Sequence, residues 1–260
     1  MNFIDELTVM ILTFNEACNI TRTLEAVKWA KHILILDSGS TDETLAIVAR
    51  YPQVTVVSRN FDSFAGQCNF GLTQVGTKWV LSMDADYIVS KQLAREIQAL
   101  EPAADVAGFM ARFVYVIHGT MLRATLYPPR CVLYRRESAG YHDEGHGHRV
   151  RINGKIRWLT GTISHDDRKP LQRWLNSQQN YARLEADYLL SAKPAGLRRT
   201  QRLRRMGWPA PIVVFLYTLI LKRCILDGRA GWIYVLQRTL AETMIAIELL
   251  DRRLRGLRKI

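Results

Sequence analysis

Short apolar runs recur along the first third of the chain, and each ends in polar residues. Leu7–Leu12 opens into Thr13-Phe14-Asn15-Glu16, and His32–Leu36 ends at Asp37-Ser38-Gly39-Ser40-Thr41-Asp42. Val54–Ser58 is a third run, and Trp79–Met83 is a fourth that ends in Asp84-Ala85-Asp86. Apolar runs without alternation fit strands buried on both faces. Between them lie helical stretches. One spans about Ala17 to Trp29, with Ile20, Leu24 and Val27 on one face; another starts from Ser40 or Thr41 as N-cap and stops at Tyr51-Pro52. Gln67, Asn69 and Gly71 sit on or near a third. Strands alternating with helices predict an α/β fold with a mostly parallel central sheet flanked by helices.

Further on, Val106–Ile117 and Cys131–Arg136 predict two more strands, separated by the rigid loop Tyr127-Pro128-Pro129-Arg130. Asn153-Gly154 predicts a two-residue hairpin between Arg149–Ile152 and Lys155–Leu159. A helix from Pro170 to about Leu190 carries Trp174, Tyr181, Leu184 and Tyr188 at helical spacing, which predicts its core face. A basic linker, Lys193–Arg205, follows. Trp208–Leu221 is almost purely apolar, yet shorter than the roughly 18 residues a membrane span needs. A last helix, about Trp232–Leu254, runs into a basic end with Arg252, Arg253, Arg255, Arg258 and Lys259. The expected organisation is a domain over residues 1–190 and a helical, basic C-terminal extension over 191–260.

Charge sharpens that division. The 260 residues carry a net +12. From Ser191 onward there are 15 Lys or Arg against 4 Asp or Glu, so nearly all the excess lies in the extension. Basic residues fused to apolar helices fit an anionic membrane surface. A nucleic-acid partner is not expected, because no recognisable module accompanies the charge. The four cysteines show no paired spacing, which fits a reducing compartment, and the acidic start Met1–Glu6 shows no signal peptide. The expected location is cytoplasmic, peripheral on the inner face of the membrane.

Chemistry concentrates at the strand ends. In an open α/β sheet, ligands sit outside the carboxyl ends of the strands. Asn15/Glu16, Asp37 and Asp84/Asp86 therefore converge on one edge. Asp84 and Asp86 repel each other unless a cation intervenes, and a hard divalent ion with open positions for a diphosphate suits them. Arg130, Arg135 and Arg136 could face that diphosphate or be solvated loop arginines. Tyr141-His142-Asp143-Glu144-Gly145-His146-Gly147-His148 is too polar and glycine-rich to build a core. Zinc held by His142, His146, His148 and His165 is a rival reading of that loop.

Taken together, Thr13-Phe14-Asn15-Glu16, Asp37-Ser38-Gly39-Ser40-Thr41-Asp42, Gln67-Cys68-Asn69 and Asp84-Ala85-Asp86 resemble the family-2 glycosyltransferases with the GT-A (Rossmann-like) fold. Within that family the chain resembles bacterial lipopolysaccharide-core and exopolysaccharide enzymes. The resemblance implies an inverting, metal-dependent transfer from a nucleotide-diphosphate sugar to a glycan or glycolipid acceptor. It implies that Thr13, Asn15, Glu16, Asp37, Gln67, Asn69 and Asp84 bind the donor. Within that set, Asp37 would read the base, Asn15-Glu16 would lie against the nucleoside, and Asp84 would contact ribose or sugar. Asp86 would hold Mg²⁺ or Mn²⁺. Many family members carry a His-Glu pair where this chain has Asp143-Glu144-Gly145, so Glu144 is the expected base and Asp143 the alternative. A catalytically inactive scaffold on the same fold is the competing class.

Overall fold

The computed structural model describes residues 2–145 and 147–257; Met1, His146 and residues 258–260, including Arg258 and Lys259, lie outside it. The chain forms two compact units. The first comprises residues 1–119, 127–143 and 148–169, and the second comprises 120–126, 144–147 and 170–260.

The first unit opens with β1 (Leu7–Thr13), α1 (Ile20–Ala26), β2 (His32–Asp37), α2 (Thr44–Val48), β3 (Val54–Ser58), α3 (Phe64–Gln74) and β4 (Trp79–Asp84). Along the chain next come β5 (Tyr87–Val89), α4 (Lys91–Gln98), β6 (Val106–Ile117), the two-residue β7 (Thr120–Met121), which belongs to the second unit, and β8 (Arg130–Arg135), then β9 (Ala139–Glu144), β10 (Gly147–Ile152) and β11 (Lys155–His165). Eight strands follow one another in the order β3-β2-β1-β4-β8-β6-β11-β5. The first four are mutually parallel, β8 runs antiparallel to β4 and β6, and β11 is parallel to β6. This is the mostly parallel α/β sheet the hydrophobic runs predict.

Alternation along each strand divides the core between the two faces. Leu7, Val9 and Ile11 join Ile33, Ile35, Trp79, Leu81 and Met83 on one side, packed on Leu24, Val48 and Ile97 from α1, α2 and α4. Met10, Leu34 and Val80 point the other way, onto Leu72 and Tyr134. There α3 approaches so closely that a Cβ on Gly71 would lie 2.5 Å from the Met10 sulfur. On the opposite face, Glu96 of α4 accepts from the backbone N–H groups of Thr160 (3.0 Å) and Gly161 (2.9 Å), where β11 shifts register.

Two local expectations change. The helix after β2 starts at Thr44 rather than at Ser40 or Thr41, because both residues serve the preceding loop. The Asn153-Gly154 turn does not close a hairpin: β10 pairs with β9, while β11 enters the large sheet beside β6. An eleven-residue strand gains more from the long parallel partner β6 in the large sheet than from the six-residue β10. Gly154 instead sits at φ 127°, where a Cβ would meet that of Ala107 at 2.6 Å.

The second unit holds α5 (Leu171–Ser191), α6 (Arg199–Met206), α7 (Pro209–Leu216) with a π turn (Tyr217–Leu221), and α8 (Gly228–Leu257). The helix read into the first domain from sequence thus lies with the C-terminal helices, so the second unit takes it in from Pro170. Its buried face is also shifted. Ala182, Glu185, Ala186 and Leu189 are buried, whereas Trp174, Tyr181 and Tyr188 are only partly covered and Leu184 is exposed. Arg204 explains the buried acid, donating to Glu185 (3.3 Å) and, through Nε, to Glu242 (2.9 Å), and so joining α5, α6 and α8.

Candidate active site at the strand mouths

Register brings the acids together. Thr13 lies opposite Asp37 across β1 and β2, and Leu12 lies opposite Asp84 across β1 and β4. The carboxyl ends of three parallel strands therefore share one edge.

Asp37 organises the loop that follows it. One carboxylate oxygen accepts from the Thr13 hydroxyl (3.0 Å) and the Ser40 hydroxyl (2.5 Å). The other accepts from the backbone N–H groups of Gly39 (2.9 Å) and Ser40 (2.8 Å). Asn15, at φ 54°, donates its N–H to the Ser40 hydroxyl and accepts the Thr41 N–H on its side-chain oxygen. Gln67 reaches the same loop, donating to the Ser38 hydroxyl (3.1 Å) and the Arg59 carbonyl (2.9 Å). Asn69 is engaged elsewhere, exchanging two hydrogen bonds with the backbone of Tyr141 in β9.

Asp86 is the focus of the other half. It is buried, its Oδ2 lies 3.6 Å from Nε2 of His165, and its Oδ1 has no hydrogen-bond partner among the described residues. His165 Nδ1 is likewise unpartnered, and its ring stacks on Tyr115 (4.7 Å) between Tyr87 and Tyr127. Burial pushes the Asp86 carboxyl upward; His165 and Lys169 oppose this and Asp84 adds to it. A buried carboxylate with an open oxygen and an adjacent imidazole is a donor set that a hard or borderline divalent ion fits.

Lys169 fills the space between the halves. It donates to Glu16 (2.5 Å) and lies 3.7 Å from Asp167. Burial works against its charge, but Glu16, Asp86 and Asp167 outweigh that and hold the ammonium above its ordinary pKa. Burial raises the Glu16 carboxyl against the opposing pull of Lys169. Asn19 bridges Glu16 (2.8 Å) and Asp167 (2.9 Å), and Arg22 pairs with Asp166. The role of Lys169, Asn19 and Arg22 was missed from sequence. The dense run His165–Lys169 was the available signal, but its partners lie about 150 positions away in the chain.

Of the three arginines, Arg130 sits over the Tyr127 ring (4.6 Å), with the Asp84 charge among those that favour its own. Arg135 covers Trp79 and donates to the Val106 carbonyl, and Arg136 donates to that of Val75. Both serve the scaffold.

The polar loop divides between the units. Asp143 accepts the Ala65 N–H (3.0 Å) at the first turn of α3. Glu144 belongs to the second unit, where Arg198 and Gln201 of the α6 region donate to its Oε1. Gly145 is at φ 62°, and a Cβ there would overlap the Glu185 carboxylate at 2.2 Å. His148 stacks on Phe64, and among the described residues no group of three or more His, Cys, Asp or Glu is placed to hold a metal by itself. His146, part of the zinc reading, lies outside the described residues.

Comparison with known proteins identifies the family. Residues 8–155 match the family described as Glycosyl transferase family 2. An uncharacterized glycosyltransferase of Rickettsia bellii is 30% identical over 142 residues, covering 52% of this chain and 48% of that protein. The chain spans about half the length of this relative and of those from Rickettsia felis and Rickettsia conorii. The lipopolysaccharide core biosynthesis glycosyltransferase LpsC of Rhizobium meliloti is 26% identical over 190 residues, covering 70% of each. Among solved structures, residues 1–349 of S. aureus TarS in complex with UDP-GlcNAc superpose with TM-score 0.50 at 13% identity, covering 91% of this chain and 90% of that one. The fold is therefore the GT-A type expected from the motifs, and the chain belongs to glycosyl transferase family 2.

Proposed function

We propose that the protein is an inverting glycosyltransferase that moves a sugar from a nucleoside-diphosphate sugar to a glycan or glycolipid hydroxyl in cell-envelope polysaccharide or lipopolysaccharide biosynthesis. The observation that carries this reading is Asp86: a buried carboxylate at a strand mouth, with one oxygen unpartnered and His165 beside it. Asp86 and His165 would hold Mg²⁺ or Mn²⁺, with Asp84 toward ribose or sugar. The bound ion would supply charge neutralisation for the departing diphosphate. Lys169 adds fixed positive charge to the same edge. Thr13, Asn15, Glu16, Asp37 and Gln67 shape the nucleoside side. Asp37 would contact the base by exchanging one of its hydroxyl partners.

An inverting displacement needs one base on the acceptor hydroxyl. Glu144 is assigned that role from its chain position, with Arg198 and Gln201 orienting its carboxylate. Asp143 is the weaker candidate because it serves α3. The envelope role draws support from the name of LpsC, and a lipid-linked acceptor is consistent with a cytoplasmic enzyme held by charge on the anionic inner face of the membrane. The test is a calorimetric panel of nucleotide sugars with Mn²⁺ and with chelator. Metal-dependent binding of at least one, with slow hydrolysis, is expected. Binding of none, or binding indifferent to chelator, would overturn the reading.

A further inference from the structure

The C-terminal unit carries an apolar surface that its own core leaves uncovered. Ala210, Leu219, Cys224, Tyr234 and Val235 are buried and hold its second half together. The opposite side is open. Trp208, Ile212, Leu216 and Ile220 recur at every fourth position, so they share one face of α7 and the π turn, and each is between 48% and 66% exposed. Leu221, at 71%, and Leu226 extend the apolar character through the bend. Solitary exposed leucines are ordinary, but a stripe of this length marks an interaction face. Thr218 lies on the buried side of the same segment, where its hydroxyl donates to the Val214 carbonyl (2.7 Å).

Charge selects the occupant. Between Pro209 and Ala241 the chain has the cations Lys222, Arg223, Arg229 and Arg238 and a single carboxylate, Asp227. That carboxylate is buried and paired with Arg123 (3.1 Å). A second copy packed here about a two-fold axis would bring like cations toward one another. An anionic bilayer satisfies both features, since headgroups take the cations and the acyl layer takes the apolar side chains.

Length limits the depth. α7 with its π turn rises about 20 Å, against a hydrocarbon core of about 30 Å. The chain then bends by 67° into the following helix, with Arg223 at φ 56° in the break. Among the described residues no single helix is long and apolar enough to cross a membrane. We infer that this bent pair inserts its apolar face shallowly into one leaflet of an anionic bilayer, with Trp208 and Trp232 at the headgroup boundary. This goes beyond attachment by charge: the cations recruit the surface and the apolar stripe anchors it.

The experiment uses the full chain and phosphatidylglycerol–phosphatidylcholine vesicles whose acyl chains are brominated at shallow or deep positions. Shallow bromines are expected to quench tryptophan fluorescence more than deep ones, and the quenching should fall in Trp208→Phe and Trp232→Phe. Ile220→Glu and Leu221→Glu, both at exposed positions, should each weaken vesicle binding about tenfold or more, from the transfer energy of one large aliphatic side chain. Nucleotide binding in the same samples should be unchanged, and it reports separately on the transferase reading. Salt-sensitive vesicle binding with no quenching and no effect of Leu221→Glu would overturn insertion in favour of charge alone. Absence of vesicle binding, or a stable dimer abolished by Leu221→Glu, would overturn it as well.

Discussion

Replacing Asp86 by Asn should stabilise the metal-free protein while disabling it. In the chelated protein, Asp86 is a buried carboxylate with one oxygen unpartnered and the other 3.6 Å from His165. Leaving a buried polar group unsatisfied costs about 1–3 kcal/mol, more when it is charged. An amide keeps the shape, removes the charge and can donate to Nε2 of His165. The expected gain is about 1–2 kcal/mol, or a few degrees in Tm at roughly 2–4 °C per kcal/mol for a chain of this size. Adding Mn²⁺ and a nucleoside diphosphate should reverse the order. A ligand at a hundred times its Kd stabilises by about 2.7 kcal/mol, and only the wild type should collect that term. The assay is thermal unfolding of both proteins, in chelator and with Mn²⁺ plus UDP. If the wild type melts higher in chelator, the carboxylate is not the unsatisfied group described. If the variant gains as much from Mn²⁺ and UDP, Asp86 does not hold the ion.

Glu144→Gln should lower kcat about 10²-fold with donor KM unchanged, whereas Asp143→Ala should chiefly cost stability, about 0.5–2 kcal/mol, by releasing the first turn of α3; steady-state kinetics and urea unfolding of both variants decide, and the reverse pattern reassigns the base. Gly161→Ala should destabilise by about 1–3 kcal/mol, since its Cβ would meet the backbone N and Cα of Leu93 at 2.5 Å; an unchanged urea midpoint would contradict the packing of α4 on β11. Burial holds the His148 imidazole below its usual pKa, against the pull of Asp84. The unfolded chain then binds the extra proton first, so His148 costs stability as pH falls below about 6.5, and none above it. His148→Gln should flatten that part of the stability–pH curve measured by urea unfolding between pH 7.5 and 5.5.

The sequence by itself determined the strands β1, β2, β4 and β6, because a strand buried in the middle of a sheet is written as a largely apolar run; β3, an edge strand with no buried residue, was legible from its β-branched residues instead. It also located the acids at the strand ends, since the point where such a run stops is where the backbone leaves the core. The excess of charge in the C-terminal segment was legible for the same reason: composition needs no partner. Everything that depended on a distant partner was decided by the tertiary structure. Asn153-Gly154 is a hairpin signal over four residues, yet β11 pairs with β6, because the buried sheet outweighs a local turn. The face α5 buries follows from Arg204, which neutralises Glu185 from another helix, so an acid sits where the aromatic spacing pointed elsewhere. Asp86 meets His165, and Glu16 meets Lys169, only because β11 ends against β5, where His165 lies opposite Tyr87, the residue after Asp86. Periodicity reports which side of an element faces inward. Which element it faces, and which charge waits there, is set by non-local pairing that no window along the chain contains.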